Sequence, residues 1–171
     1  MYYVIQVAPG AEEKTEALIK KRLAGGLFER CFHPVRHVRK KIRGEWKDLH
    51  EKLIPGYVFL ISDSIREVSE ALRKVPMLTK LLGREEDEVF TPLPDHEAAW
   101  LEKLTAEGSE IPLSQISVSE GDDVTILAGP LKDMAGRIRK INLHKRTAEV
   151  EVDFMNQGPI LYLGIELVKK E

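Results

Sequence analysis

Five cations, Arg36, Arg39, Lys40, Lys41 and Arg43, fall in one short run, and no acidic residue interrupts the chain between Glu29 and Glu45. Cations at strand-like spacing can neutralise phosphates and release counterions, which makes affinity for a nucleic acid fall steeply with salt. Such contacts position a backbone and read no sequence. A second set, Lys132, Arg137, Arg139, Lys140, His144, Lys145 and Arg146, lies near the C-terminus. To read bases, some of these must reach base edges in a loop or a distorted groove, because the major groove of A-form RNA is too narrow for direct access. Taken alone, the 36–43 run is equally well a solvated hairpin that keeps the chain soluble. The net charge of −2, from 26 Lys+Arg and 28 Asp+Glu, supplies no overall attraction, so nucleic-acid binding has to come from local clustering. Charge is segregated: Glu85, Glu86, Asp87 and Glu88 form an acidic run well away from the cations.

Catalytic chemistry finds little here. Cys31, His33 and His37 are close in sequence, but a structural zinc site needs four ligands and no second Cys/His group follows at ligand spacing. There is no Ser/His/Asp arrangement, phosphate-cradling glycine loop or paired-carboxylate signature. The expectation is a protein that is not an enzyme, with no catalytic residue, metal or cofactor. A single cysteine excludes an intramolecular disulfide and suits a reducing compartment. No run of about 18 apolar residues is present, and residues 2–7 are too short for a leader or a span, so a soluble cytoplasmic monomer without membrane attachment is expected.

The elements that must carry these side chains follow from period and punctuation. At 171 residues the chain holds one domain, or one domain and a small second one. Residues 2–7 read as an aromatic, β-branched strand stopped by Pro9-Gly10. From 11 to 23 the period becomes helical, with Glu12 and Glu13 in the first turn, Lys20, Lys21 and Arg22 in the last, and Gly25-Gly26 as the stop. Residues 32–42 and 53–62 read as an antiparallel pair joined by a long charged connection. Ser64-Ile65-Arg66-Glu67 fits a capping box opening a helix with Ile65, Val68, Leu72 and Val75 on one stripe, ended by Pro76. Residues 88–91 suit a short strand, and 95–104 another helix with Trp100 on its flank. Residues 106–116, with Gly108, Pro112 and Ser114, read as a linker. Beyond it, short β-rich runs at 124–127, 136–141, 147–154 and 160–163 suggest a small open barrel.

Tyr2-Tyr3-Val4-Ile5-Gln6 before a turn and helix, then Ile54-Pro55-Gly56-Tyr57-Val58-Phe59, Val75-Pro76, Leu82-Gly83 and Thr91-Pro92-Leu93, resembles the N-terminal domain of the NusG transcription elongation factors. The tail, with Glu120-Gly121-Asp122-Asp123-Val124, Ala128-Gly129-Pro130-Leu131 and 141–152, is similar to their KOW module. The resemblance implies an α+β fold: a four-stranded antiparallel sheet flanked by helices at 1–105, the linker 106–116, and a five-stranded barrel at 117–171. It implies a factor that docks an apolar patch on the clamp helices of RNA polymerase and favours elongation and terminator readthrough. The matching positions are Tyr2, Tyr3, Ile54, Tyr57 and Phe59. Alternation along a strand puts Tyr57 and Phe59 on one face and Val58 and Leu60 on the other, so one set can face the core and the other a partner.

Departures from the family pattern point to a specialised member. Where general members carry aromatics that contact Rho or a ribosomal protein, this chain has Leu131, Met134 and Met155, so those partners do not carry over. Together with Ile54 and the basic run, this resembles the LoaP type of antiterminator, which implies recognition of a hairpin in nascent leader RNA. Lys20, Lys21 and Arg22 are most simply helix C-terminal cations, with non-template DNA as a further contact. The competing expectation is a KOW-type RNA-binding or ribosome-associated protein that never touches polymerase.

Overall fold

The computed structural model describes residues 1–23, 25–74, 79–81, 92–155 and 159–170, with side chains at 79–81 and 169–170 left aside. Along the chain run β1 (Tyr2–Val7), α1 (Glu12–Arg22), β2 (Arg30–Phe32), β3 (Val35–Ile42), β4 (Glu45–Lys52), β5 (Tyr57–Ile61), α2 (Ile65–Leu72) and β6 (Thr79–Leu81). Then follow α3 (Asp95–Leu104), β7 (Glu110–Ile111), β8 (Ser114–Val118), β9 (Val124–Ala128), a 3₁₀ segment (Pro130–Arg137), β10 (Ile138–Asn142), β11 (Thr147–Glu151) and β12 (Ile160–Lys170). The fold is α+β. Contacts divide it into one unit of Met1–His33 with Ile54–Ala98, and a second of Pro34–Leu53 with Ala99–Glu171. Among the described residues, no helix is long and apolar enough to cross a membrane.

The first unit holds a four-stranded antiparallel sheet in the order β2-β5-β1-β6. Register sets Tyr3 opposite Leu60 and Ile5 opposite Val58, so Tyr3, Ile5, Val7, Val58, Leu60 and Cys31 share the face that packs on Ile19 and Leu23 of the α1 region and on Val68 and Leu72 of α2. The Pro55-Gly56 turn that opens β5 is fixed from two sides. Gly56 has φ +90°, which a residue with a Cβ adopts at a cost, and its N–H donates to the buried Glu12 carboxylate at 3.2 Å while its carbonyl accepts from Val7 N–H at 2.9 Å. Glu12, expected only as a helix-dipole partner, is thus a tie between α1 and the turn.

Several local expectations are corrected. Residues 45–52 are a strand, not a connection: β3 pairs with β4 over its whole length, closed by Arg43 (φ 51°) and Gly44 (φ 83°), two positive-φ residues in the tight turn that suits the strand twist. The strand at 53–62 narrows to β5, which pairs with β1 and β2 and not with β3. Ser64 makes no capping hydrogen bond; its N–H instead donates to Ser62 Oγ at 2.9 Å. Val75, Pro76, the 82–83 pair and the 88–91 strand lie outside the described residues. Residues 106–116 contain β7, which pairs in parallel with Val35 and Arg36, and the start of β8.

The second unit contains a five-stranded sheet, β10-β11-β12-β8-β9, whose only parallel pair among the described strands is β12 with β8, and a three-stranded sheet, β4-β3-β7. One face of the larger sheet is buried through Ala148, Val150, Leu161, Leu163, Ile165, Ile116 and Val118, with Leu131 and Met134 of the 3₁₀ segment. Of the three positions where the sequence departs from the family's aromatics, Leu131 and Met134 are therefore core positions here, while Met155 is half-buried. Trp100 is buried beside Phe154 and donates from Nε1 to the Asp153 carbonyl at 2.9 Å.

On the other face, β3 passes directly over Gly164. A Cβ at that glycine would sit 2.2 Å from the His37 carbonyl and 2.6 Å from Leu113 Cδ2. The neighbouring same-face positions hold the approach: Arg36 Nη1 donates to the Tyr162 carbonyl at 2.6 Å, and Arg39 pairs with Glu166 at 3.5 Å. Gly164→Ala is expected to lower unfolding stability in urea by about 1–3 kcal/mol, because backbone must move to admit the methyl. Gly121→Ala, whose nearest neighbour is a flexible Asp123 carboxylate at 3.8 Å, should stay within about 0.5 kcal/mol of the parent.

Candidate nucleic-acid interface

The β3 cations divide into a paired and an unpaired group. Arg36 pairs with Glu51 at 3.1 Å, Lys40 reaches the other Glu51 oxygen at 2.7 Å, and Arg39 pairs with Asp48 at 3.3 Å across the hairpin. The Lys40 hydrogen bond, opposed by partial burial and aided by Arg36, holds the Glu51 carboxyl below its ordinary value. Lys41 and Arg43 are exposed and make no ion pair among the described residues. About half of the run is thus committed to building the hairpin, as the solvated-hairpin reading requires, and the remainder is available.

The larger sheet supplies the other wall. Register aligns Lys140 with Glu149 and Glu149 with Tyr162, so the three form a row across β10, β11 and β12 on the face opposite the core. Lys41 and Trp46 are directly paired near the hairpin tip. Between these walls lies a groove of about 630 Å³ lined by Arg36, Lys40, Lys41, Trp46, Glu51, Lys140, Asn142, His144, Lys145, Thr147, Glu149 and Tyr162. A recess of about 610 Å³ shares Lys41, Trp46 and His144 with it and adds Arg146. The groove unites cations about a hundred positions apart in sequence, which no local pattern could announce.

Not every expected cation is there. Arg146 stacks over the Trp46 ring, 5.2 Å from its centroid, and donates to the Leu143 carbonyl at 2.6 Å. Lys132 reaches the Leu127 carbonyl at 3.5 Å, and Arg139 is ion-paired with Glu151; neither of them, nor the exposed Arg137, lines the groove. Trp46, Tyr162, Glu51 and Glu149 were not among the sequence candidates. The available signal was slight: a tryptophan inside an otherwise charged run is a poor core residue and a good contact residue.

The five positions expected to meet polymerase do not form one surface. Tyr2, Tyr57 and Phe59 share a sheet face, and Ile54 precedes the turn. Tyr3 lies on the opposite face, in the core cluster. Phe59 is 0% exposed and stacks on Phe32 at 5.8 Å, whereas Tyr2, Ile54 and Tyr57 are half-buried. Lys20, Lys21 and Arg22 are exposed at the end of α1, with Lys20 3.8 Å from Glu16.

Cys31 is buried, and burial, reinforced by the Glu16 carboxylate, pushes its thiol up to about 12. His33 faces Glu16 at 3.5 Å, while His37 bonds Asp48 at 2.9 Å and stacks on His50. Among the described residues, no group of three or more His, Cys, Asp or Glu is placed to hold a metal.

Comparison with known proteins agrees with this architecture. Residues 1–102 match the family model described as "Transcription termination factor nusG". The chain is 30% identical over 181 residues to the transcription termination/antitermination protein NusG of Thermus thermophilus, covering 99% of this chain and 97% of that protein. It is 23% identical to the protein of the same name from Streptomyces griseus, covering 99% of this chain but 64% of that longer one. A solved structure titled "Domain interaction in Thermotoga maritima NusG" superposes with a TM-score of 0.57 at 24% identity, covering 95% of this chain and 92% of that one.

Two outcomes follow from the titrating groups. Because the folded-state value of Glu51 is depressed, its contribution to stability is fully present above the ordinary value of 4.5 and disappears as pH falls through the folded value. Urea titrations should therefore show Glu51→Gln less stable than the parent at pH 7, with the difference closing on acidification. Cys31, with its thiol near 12, should resist iodoacetamide at pH 8 in the folded protein and react once urea unfolds it, read by intact mass.

Proposed function

Because the chain belongs to the NusG family of transcription factors, we propose that it is an elongation and antitermination factor that docks on RNA polymerase through its first unit and holds nascent RNA on the cationic groove of its second. The observation that carries the RNA half is the meeting of Lys41 on β3 with Lys140 and Lys145 from the β10 region around one groove. A surface of this kind accepts a phosphate backbone, and its affinity falls with salt in proportion to the phosphates neutralised.

The polymerase half rests on the family match to residues 1–102 and on the partly open aromatic face of the first sheet. The polymerase-binding unit falls within the span 1–105 and the KOW domain is 117–171, with the β3–β4 hairpin, which belongs to the second unit, contributing to the RNA surface. Tyr2, Ile54 and Tyr57 meet the clamp helices directly, while Tyr3 and Phe59 act from beneath by holding the two strands that present them. Docking energy is spent on the closed, elongating polymerase, which lowers the population of paused and releasing states. The departures at Leu131, Met134 and Met155 support a specialised member of the LoaP type, acting on a leader hairpin.

In vitro transcription across a terminator, on templates with and without the native upstream leader, tests this reading. The protein should raise readthrough, more so with the leader, and co-purify with polymerase. Tyr57→Ala should reduce readthrough at least several-fold while melting temperature and RNA binding hold; Phe59→Ala is a poor substitute, since emptying that site costs about 3–5 kcal/mol. Unchanged readthrough together with sedimentation on ribosomes would replace this function with a ribosome-associated one.

A further inference from the structure

The geometry points to the groove of the second unit as a site for unpaired nucleotides, whose bases stack on Trp46 and Tyr162 while Lys41, Lys140 and Lys145 follow the phosphates. This rests on the reading of that groove as an RNA surface and deepens it, from phosphate contact to recognition of single-stranded segments.

Three observations carry it. Trp46 and Tyr162, 40% and 43% exposed, are the two most exposed Phe, Tyr or Trp rings among the described residues, and both line the same groove. A solvated hairpin or a plain phosphate surface has no use for either ring, whereas stacking platforms flanked by cations are how proteins hold single strands. Both rings are also braced before any ligand arrives. Arg146 lies 5.2 Å from the Trp46 centroid and Arg36 lies 5.7 Å from that of Tyr162, each arginine being anchored on a backbone carbonyl at 2.6 Å. Side chains held in place lose little freedom on binding, so more of the stacking energy appears as affinity.

The third observation is Glu149, which the register sets between Lys140 and Tyr162. A carboxylate is a repulsive neighbour for phosphate but a good acceptor for the N–H groups on a base edge. Its place beside the exposed ring fits a base there and the backbone nearer the lysines. Paired bases in a continuous duplex keep their faces stacked and their Watson–Crick edges paired, so the occupant that can use both rings and Glu149 is an unpaired stretch such as a loop or tail.

The test uses the full-length protein and fluorescein-labelled probes: a short oligoadenylate and a blunt RNA duplex of equal length, read by anisotropy over a salt series. The single strand should bind tighter than the duplex. Trp46→Ala and Tyr162→Ala should each weaken oligoadenylate binding about ten-fold or more, with duplex binding little changed. Trp46→Phe should recover most of the loss, and oligoadenylate should quench tryptophan emission in the parent but not in Trp46→Phe, where only the buried Trp100 remains. Lys41→Ala and Lys145→Ala should each flatten the salt dependence by about one unit of slope on both probes. Ring variants that bind oligoadenylate like the parent, while the lysine variants weaken, would overturn the stacking site and leave a phosphate surface. Absence of binding to either probe at low salt would overturn the RNA reading itself and this site with it.

Discussion

One missing side chain organises the second unit. Gly164 lies on the outward face of β12, and the backbone of β3 fills the volume in which a Cβ would sit. The close approach lets Arg36 and Arg39 reach the flanking positions Tyr162 and Glu166 on the same strand, so backbone proximity and charge, with the buried Val38, seat the hairpin. The groove, its two aromatic rings and its lysine rim all exist because that crossing is tight.

Within this arrangement, charge does two jobs. A carboxylate shared by Arg36 and Lys40, and another shared by His37 and Arg39, convert part of the basic run into structure. Exposed pairs of this kind contribute little stability each, but a network of them fixes geometry. Cations without such partners are then the ones free to exchange water and counterions for phosphate. Counting basic residues along the chain overstates the binding surface, because Arg36, Lys40, Arg39 and Arg139 are already answered by Glu51, Asp48, Glu166 and Glu151.

The first unit follows a different logic, that of two-faced β-strands. β1 and β5 send alternate residues to opposite sides, and only one of those sides carries the α1 and α2 contacts. The Pro55-Gly56 turn sets that alternation, and Glu12 holds the turn by its N–H. A register slip of one residue would exchange Tyr57 and Phe59 with Val58 and Leu60 and erase the distinction between the face packed on α1 and α2 and the face opposite it.

What the sequence determined by itself was everything written in short-range periodicity: the 2–7 strand, a helix within 11–23, a helix opening at Ser64, a helix at 95–104, the β-rich tail, and motif order specific enough to identify the family. The face alternation of Tyr57 and Val58 was legible for the same reason, since it depends only on neighbouring residues. Tertiary structure alone decided that the charged 45–52 stretch is a strand, because its pairing is held by cross-strand ions and a type of turn, with no hydrophobic period to reveal it. It also decided that Phe59 and Tyr3 are buried, that Arg146 and Arg39 are occupied, and that Trp46 meets Tyr162 across a groove. Those are facts about side chains distant in sequence: strand pairing decides them in the first unit, and in the second the place where Gly164 lets β3 cross β12.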